Sequence, residues 1–182
     1  MRASTRFATI GLLLIFWFAG LGVAQQSEEY RVKAAFLYHF TELVEWPADA
    51  RGDSKKSLAI CTLGKDPFGG DLEATLKDKM IGGQRLEIRH LKQPDEASGC
   101  LAVFIAGDRK LMEQTLGALK DSSVLTVGDS ADFAKQGGMI GFSMESDDKV
   151  RFVINVDAAT KSRLKISSRL LVLAKTVIGS HP

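Results

Sequence analysis

The chain is poor in the residue sets from which catalytic and nucleic-acid sites are built. Histidine occurs three times in 182 residues, as His39, His90 and His181. The three are far apart and have no cysteine or carboxylate at ligand spacing, so no metal signature is present. No serine stands in a nucleophile-elbow context. The nearest approach to a phosphate loop is Gly64-Lys65-Asp66-Pro67-Phe68-Gly69-Gly70. It lacks the G-x-x-x-x-G-K-S/T order, and Pro67 removes an amide that a phosphate nest would use, so it reads as a turn leading into a helix. Asp147-Asp148 read as solvated carboxylates of a hairpin turn rather than as a calcium site. An excess of one charge is missing too: beyond residue 24, basic and acidic residues number 22 each. That balance offers no basic face for nucleic acid. The sequence thus predicts no catalytic residue, no metal and no cofactor, and points to a binding or regulatory protein.

The first 24 residues have the make-up of a secretory leader. Arg2 and Arg6 supply a positive start, and Phe7 to Val23 is an apolar run broken only by Thr9. Gly22 and Ala24 are small residues at the −3 and −1 positions of a cleavage site before Gln25. A retained anchor is the competing reading, because the run approaches spanning length. The polar stretch Gln25-Gln26-Ser27-Glu28-Glu29 favours cleavage, and no cysteine at the site offers a lipid anchor. The expectation is an exported protein, with residues 25–182 forming one domain of ordinary hydrophobic (45%) and charged (25%) content.

Export gives the only two cysteines, Cys61 and Cys100, their meaning. An even count in an oxidising compartment favours a disulfide, with two buried free thiols as the alternative. A redox-active pair is disfavoured, since redox motifs keep their cysteines two residues apart at a helix start.

Hydrophobic periodicity predicts alternating elements. A helix runs from Glu28 to Trp46, ended by Pro47, and a loop spans Asp49 to Lys56. A strand around Cys61 leads to a helix near Phe68 to Lys79, with Leu72, Leu76 and Met80 on one face and Gly82-Gly83 as its stop. Arg85 to Arg89 alternates as a half-exposed strand, and Leu101 to Ala106 is apolar enough to be covered on both faces. A helix from Arg109 to Leu119 buries Leu111, Leu116 and Leu119, and a strand at Val124–Val127 follows. Asp129-Ser130 caps a short helix to Lys135, stopped by Gly137. Met139–Ser143 and Val150–Asn155 form an antiparallel pair. Asn155 or Asp157 opens a last amphipathic helix to about Val177. This order predicts an α/β three-layer sandwich whose mixed sheet is mainly parallel, with an antiparallel C-terminal hairpin plus helix at one edge.

Two features bear on binding. The first helix carries Tyr30, Phe36, Tyr38, Phe40 and Trp46, more aromatic surface than one face buries. Tyr38 and Trp46 fall off the apolar stripe and offer exposed area to a partner, unless layers sandwich the helix. On the last helix Arg163 and Arg169 read as a solvated basic face, or alternatively as an anion anchor near a pocket mouth.

The ordered set of motifs resembles the YfiR-like (YfiR/HmsC) family. It comprises the helix Glu29-Tyr30-Arg31-Val32-Lys33 through Glu45-Trp46-Pro47, then Ile60-Cys61-Thr62-Leu63-Gly64 and Cys100-Leu101-Ala102-Val103-Phe104-Ile105. After these come Val124-Leu125-Thr126-Val127, Gly137-Gly138-Met139-Ile140, Phe152-Val153-Ile154-Asn155 and Leu164 to Leu171. The resemblance implies a disulfide between Cys61 and Cys100; a second cysteine pair that some members carry near the Gly-Gly hairpin has no counterpart here. It also implies a periplasmic regulator that represses an inner-membrane diguanylate cyclase by binding its sensor domain, thereby limiting cyclic-di-GMP and biofilm formation. A membrane sensor histidine kinase is the other partner class it implies, along with homodimers. A small-ligand sensor, with a pocket between the first and last helices and an arginine anchor, is the alternative function.

Overall fold

The structure, a computed structural model, describes residues 15–51 and 57–179. Of the expected leader, residues 1–14 lie outside the described residues. So do residues 52–56 of the expected loop.

Leu58 and Ile60 project from one face of strand β2 (Leu58–Gly64), while Ala59, Cys61 and Leu63 project from the other. Strand β5 (Ala102–Ala106) repeats this, with Ala102 and Phe104 opposed to Val103 and Ile105. Side chains alternate across a strand, so continuous apolar runs require cover on both sides. On one side lie α1 (Ile15–Glu42), α2 (Asp71–Leu76) and α5 (Val156–Lys161), through Leu37, Phe40, Leu72, Leu76 and Ala159. On the other lie α3 (Arg109–Ala118), α4 (Ala131–Lys135) and the 3-10 turn Pro94–Gly99, through Met112, Phe133 and Ala97. The three-layer α/β sandwich follows.

The central sheet also contains β3 (Met80–Ile81), β4 (Gln84–Leu91), β6 (Leu125–Gly128), β7 (Ile140–Met144), β8 (Val150–Asn155) and β10 (Thr176–Ile178). Its eight strands run in the order β10-β8-β7-β6-β5-β2-β4-β3. Strands β4, β2, β5, β6 and β7 are parallel, and β8 pairs antiparallel with β7 in a register that sets Phe142 opposite Phe152. Those two rings pack with Phe36 and Phe40 of α1, at centroid separations of 4.9–6.3 Å. Ring pairs at such spacings add stability beyond their buried area. Cys61 and Cys100 form a disulfide across the β2–β5 seam, with Cα atoms 6.1 Å apart.

The C-terminal segment departs from the expected single helix. After α5, Arg163 adopts a left-handed φ of 60°. Arg163 N donates to the Thr160 carbonyl and Leu164 N to the Ala159 carbonyl, both at 2.9 Å. This is a Schellman stop, which usually uses glycine, so no sequence signal announced it. The chain then forms β9 (Lys165–Ile166), the short helix α6 (Ser168–Leu171) and β10, which pairs parallel with β8. The edge beyond the hairpin is therefore a strand.

Three further expectations are corrected. Helix α1 ends at Glu42 rather than Trp46, because Val44 and Glu45 form β1 and pair antiparallel with β9. Helix α2 stops at Leu76, and the Gly82-Gly83 step (φ 57° and 83°) is a hairpin turn between β3 and β4, with Met80 exposed on β3. Two consecutive positive φ angles suit glycine and match the twist of a tight hairpin. On α3 the buried residues are Met112 and Thr115, followed by Leu119, while Leu111 and Leu116 are half-buried. Asn155 behaves as expected: its side chain accepts from Ala158 N at 2.9 Å and caps α5.

Candidate functional site

The carboxyl ends of β2, β5 and β6 open onto a cleft of about 390 Å³. The strand order explains its position. From β2 the chain moves outward to β4, then returns to β5 on β2's other side. At such a switch point the connecting segments leave in opposite directions and a crevice stays open, the usual ligand position in open α/β sheets. Gly64 lets the ends approach closely. Its φ is +96°, and a Cβ there would lie 2.1 Å from the Ala106 carbonyl oxygen.

Tyr30 of α1 walls the cleft, held by a charge cluster. Its hydroxyl donates to Asp129 Oδ2 at 2.5 Å, just beyond the end of β6. Lys33, one helical turn on, is only 2% exposed. Its ammonium donates to Asp129 Oδ1 at 2.6 Å and to the Glu29 carboxylate, and lies 4.5 Å from the centre of the Tyr30 ring. Burying an ammonium is costly unless it is paired and hydrogen-bonded in this way. Burial, followed by the bond to Asp129, pushes the Tyr30 hydroxyl pKa well above its ordinary value. The network ties the middle of α1 to the residue that follows β6. Both Asp129 oxygens are occupied, so its carboxylate is a wall element rather than a free acceptor.

The sequence carries a signal for this cluster in the spacing of α1. Tyr30, Lys33, Leu37 and Phe40 recur at three and four residues, placing Lys33 on the buried stripe. A lysine there requires buried partners. Asp129, read as a helix cap, makes no cap; Ser130 is the N-cap residue of α4, and its side chain forms no cap hydrogen bond.

The residues singled out for partner binding lie apart from this cleft. Trp46 is 8% exposed and belongs to the core, so the exposed aromatic area expected of it is not there. Tyr38 is half-buried and its hydroxyl donates to Glu42 Oε1 at 2.8 Å. Arg163 is exposed but pairs with Asp49 Oδ2 at 3.0 Å. Arg169 is exposed on α6, close in sequence to Val172 and Leu173, which are 82% and 58% exposed. The long last helix that was to form a pocket with α1 does not exist.

His39 is exposed and meets Glu42 Oε2 at 2.9 Å. His90 meets Thr62 Oγ1 at 2.8 Å, with Asp66 and Glu73 oxygens at 3.7 and 3.4 Å. Those carboxylates come from α2 and the loop before it, so sequence spacing concealed them. Among the described residues no group of three or more His, Cys, Asp or Glu is arranged to hold a metal ion. None of the described helices is long and apolar enough to cross a membrane.

Comparison with known proteins gives a family and a distant likeness of shape. Two solved structures are similar to this chain, each with a TM-score of 0.49. One is an ABC domain in complex with L-Trp from Streptococcus pneumonia (13% identity, 66% of this chain, 55% of that one). The other is a conserved domain protein from Vibrio cholerae (12% identity, 65% of this chain, 54% of that one). The chain thus spans about half the length of either. No curated protein sequence matches it. The family model described as YfiR/HmsC-like matches residues 30–175, which takes in every strand from β1 to β9 and the cysteine bridge. The chain therefore belongs to the YfiR/HmsC-like family.

Proposed function

We propose that this protein is a non-catalytic periplasmic regulator that binds and represses the sensor domain of an inner-membrane diguanylate cyclase. The observation that carries the reading is family membership over residues 30–175, in a family of periplasmic regulators of such cyclases. The oxidised Cys61–Cys100 bridge accords with export through a cleaved leader. Repression needs only differential affinity: a protein that binds the inactive sensor conformation better than the active one shifts the population toward it.

For the contact we assign the corner formed by α6 and the turn before β10. Val172 and Leu173 are large hydrophobic residues, both exposed, and they are adjacent. Arg169, one turn before, adds a cation at the rim, a residue type favoured at interfaces. The test is co-purification with inner-membrane cyclases, together with cellular cyclic-di-GMP. Deleting the protein raises cyclic-di-GMP, and Val172→Asp with Leu173→Asp reproduces the rise while the purified variant unfolds as the parent does. Unchanged cyclic-di-GMP on deletion and no recovered cyclase would sink the reading.

A further inference from the structure

The switch-point cleft is not used by the proposed partner contact, and its wall carries charge and hydrogen-bonding capacity that nothing in the fold consumes. Lys65 follows β2 immediately and is exposed on the cleft wall. Its backbone N–H is bonded to the Ala106 carbonyl at 3.1 Å, which fixes the residue, while its ammonium has no partner among the described residues. Ser130 lines the same cleft, and its hydroxyl is free because it makes no cap bond. The competing acid is occupied: Asp129 accepts from Lys33 at one oxygen and from Tyr30 at the other. The other carboxylates of the neighbouring loops are engaged as well. Asp66 accepts from Phe68 N at 3.0 Å, and Asp108 from Leu111 N at 2.9 Å. Of the two charged residues that line the cleft, Asp129 is engaged and Lys65 is left without a partner among the described residues. The cleft's apolar surface comes from Ile105, Met112 and Phe133 on one side and the Tyr30 ring on another.

We propose that this cleft binds a small organic anion, its oxyanion head held by the Lys65 ammonium and the Ser130 hydroxyl and its apolar body laid against Tyr30. The volume of about 390 Å³ is at the small end of the range for small-molecule sites, roughly 300–1,000 Å³. The head is a carboxylate or a phosphate, since both present oxygens to an ammonium and a hydroxyl. The Gly64 to Pro67 turn, which lacks a phosphate-loop pattern, supplies the cation through a side chain instead of a nest of amides.

The experiment is calorimetric titration of the purified protein at low salt with benzoate, phenyl phosphate and, as the uncharged counterpart, benzyl alcohol. One or both anions bind and raise the unfolding midpoint by mass action, and which one binds identifies the head group. Lys65→Gln weakens binding tenfold or more, the size of a lost charge-assisted hydrogen bond, and Ser130→Ala weakens it by about threefold to tenfold. Both positions are exposed, so both variants unfold like the parent without ligand. Lys120→Gln, at the opposite end of the strands in a second cleft, leaves the affinity unchanged. Failure of both anions to bind overturns the proposal, as does equal binding of benzyl alcohol or an affinity indifferent to Lys65→Gln. Binding is read with no membrane partner present, so this outcome and that of the cyclase test are independent.

Discussion

Lys33 shows how one side chain can commit a whole helix to its place. Its ammonium is enclosed by two carboxylates, one on its own helix and one beyond β6, and by an aromatic face. Lys33→Met keeps the apolar stem and leaves Glu29 and Asp129 without their counter-ion. Fully buried pairs broken in this way lose about 3–5 kcal/mol; these carboxylates keep some solvent contact, so a loss of about 2 kcal/mol is expected. Denaturant unfolding of Lys33→Met, Asp129→Asn and the double variant measures it, because a true pair makes the double loss clearly smaller than the sum of the single ones. Additive losses would show that packing, not charge, carries the effect. At this scale the sequence was legible where one residue type permits one role. The cysteines, for which a bridge was favoured over free thiols, and Asn155, one of two candidate caps, come nearest to this. Asp129 was not legible, because aspartate serves equally as a helix cap and as a counter-ion, and only the position of α1 decides between them.

At the scale of elements, strands were easier to foresee than the last helix. Leu101 to Ala106 was readable as a doubly covered strand, since six apolar residues in a row leave no polar face. Leu164 to Ala174 carried enough leucine to satisfy a helical period, and its break depends on one backbone angle at Arg163. A non-glycine residue there costs about 1–2 kcal/mol. Arg163→Gly should remove most of that cost and lose only the exposed pair with Asp49, worth about 0.2–1 kcal/mol. The expected outcome is a net gain of about 0.5 kcal/mol in chemical unfolding. A loss larger than about 1 kcal/mol would mean that the arginine side chain contributes more than its pair with Asp49. The end of α1 obeys the same logic: pairing between β1 and β9 overrides helical periodicity at Val44, and no local pattern encodes a partner some 120 residues away.

For the whole molecule, pH and redox state act on different parts. Three carboxyls, half-buried Glu87 and Glu145 and exposed Asp147, are held below their ordinary values: Glu87 by Ser57 and then Arg89, Glu145 by Lys175 and then Ser143, and Asp147 by Lys149. A depressed carboxylate pKa stabilises the fold above the unfolded value and loses that contribution as pH falls through the folded one. Unfolding midpoints should hold steady near neutrality and fall below about pH 4.5; Lys175→Gln should flatten the fall. The overall α/β sandwich was readable because alternating runs of two periods leave few arrangements, whereas the cleft was not, because it arises from strand order alone. Reduction acts elsewhere. The Cys61–Cys100 bridge spans a sequence separation of 39, worth about 4 kcal/mol in the chain-entropy account. The loop it closes contains α2, β3 and β4, the outer flank of the sheet, whereas the phenylalanine cluster of α1, β7 and β8 lies outside it. Hydrogen exchange of the reduced protein should therefore quicken first between residues 62 and 99, with β7 and β8 still protected. The bond divides the molecule into a flank whose integrity tracks the oxidising strength of its surroundings and a remainder indifferent to it.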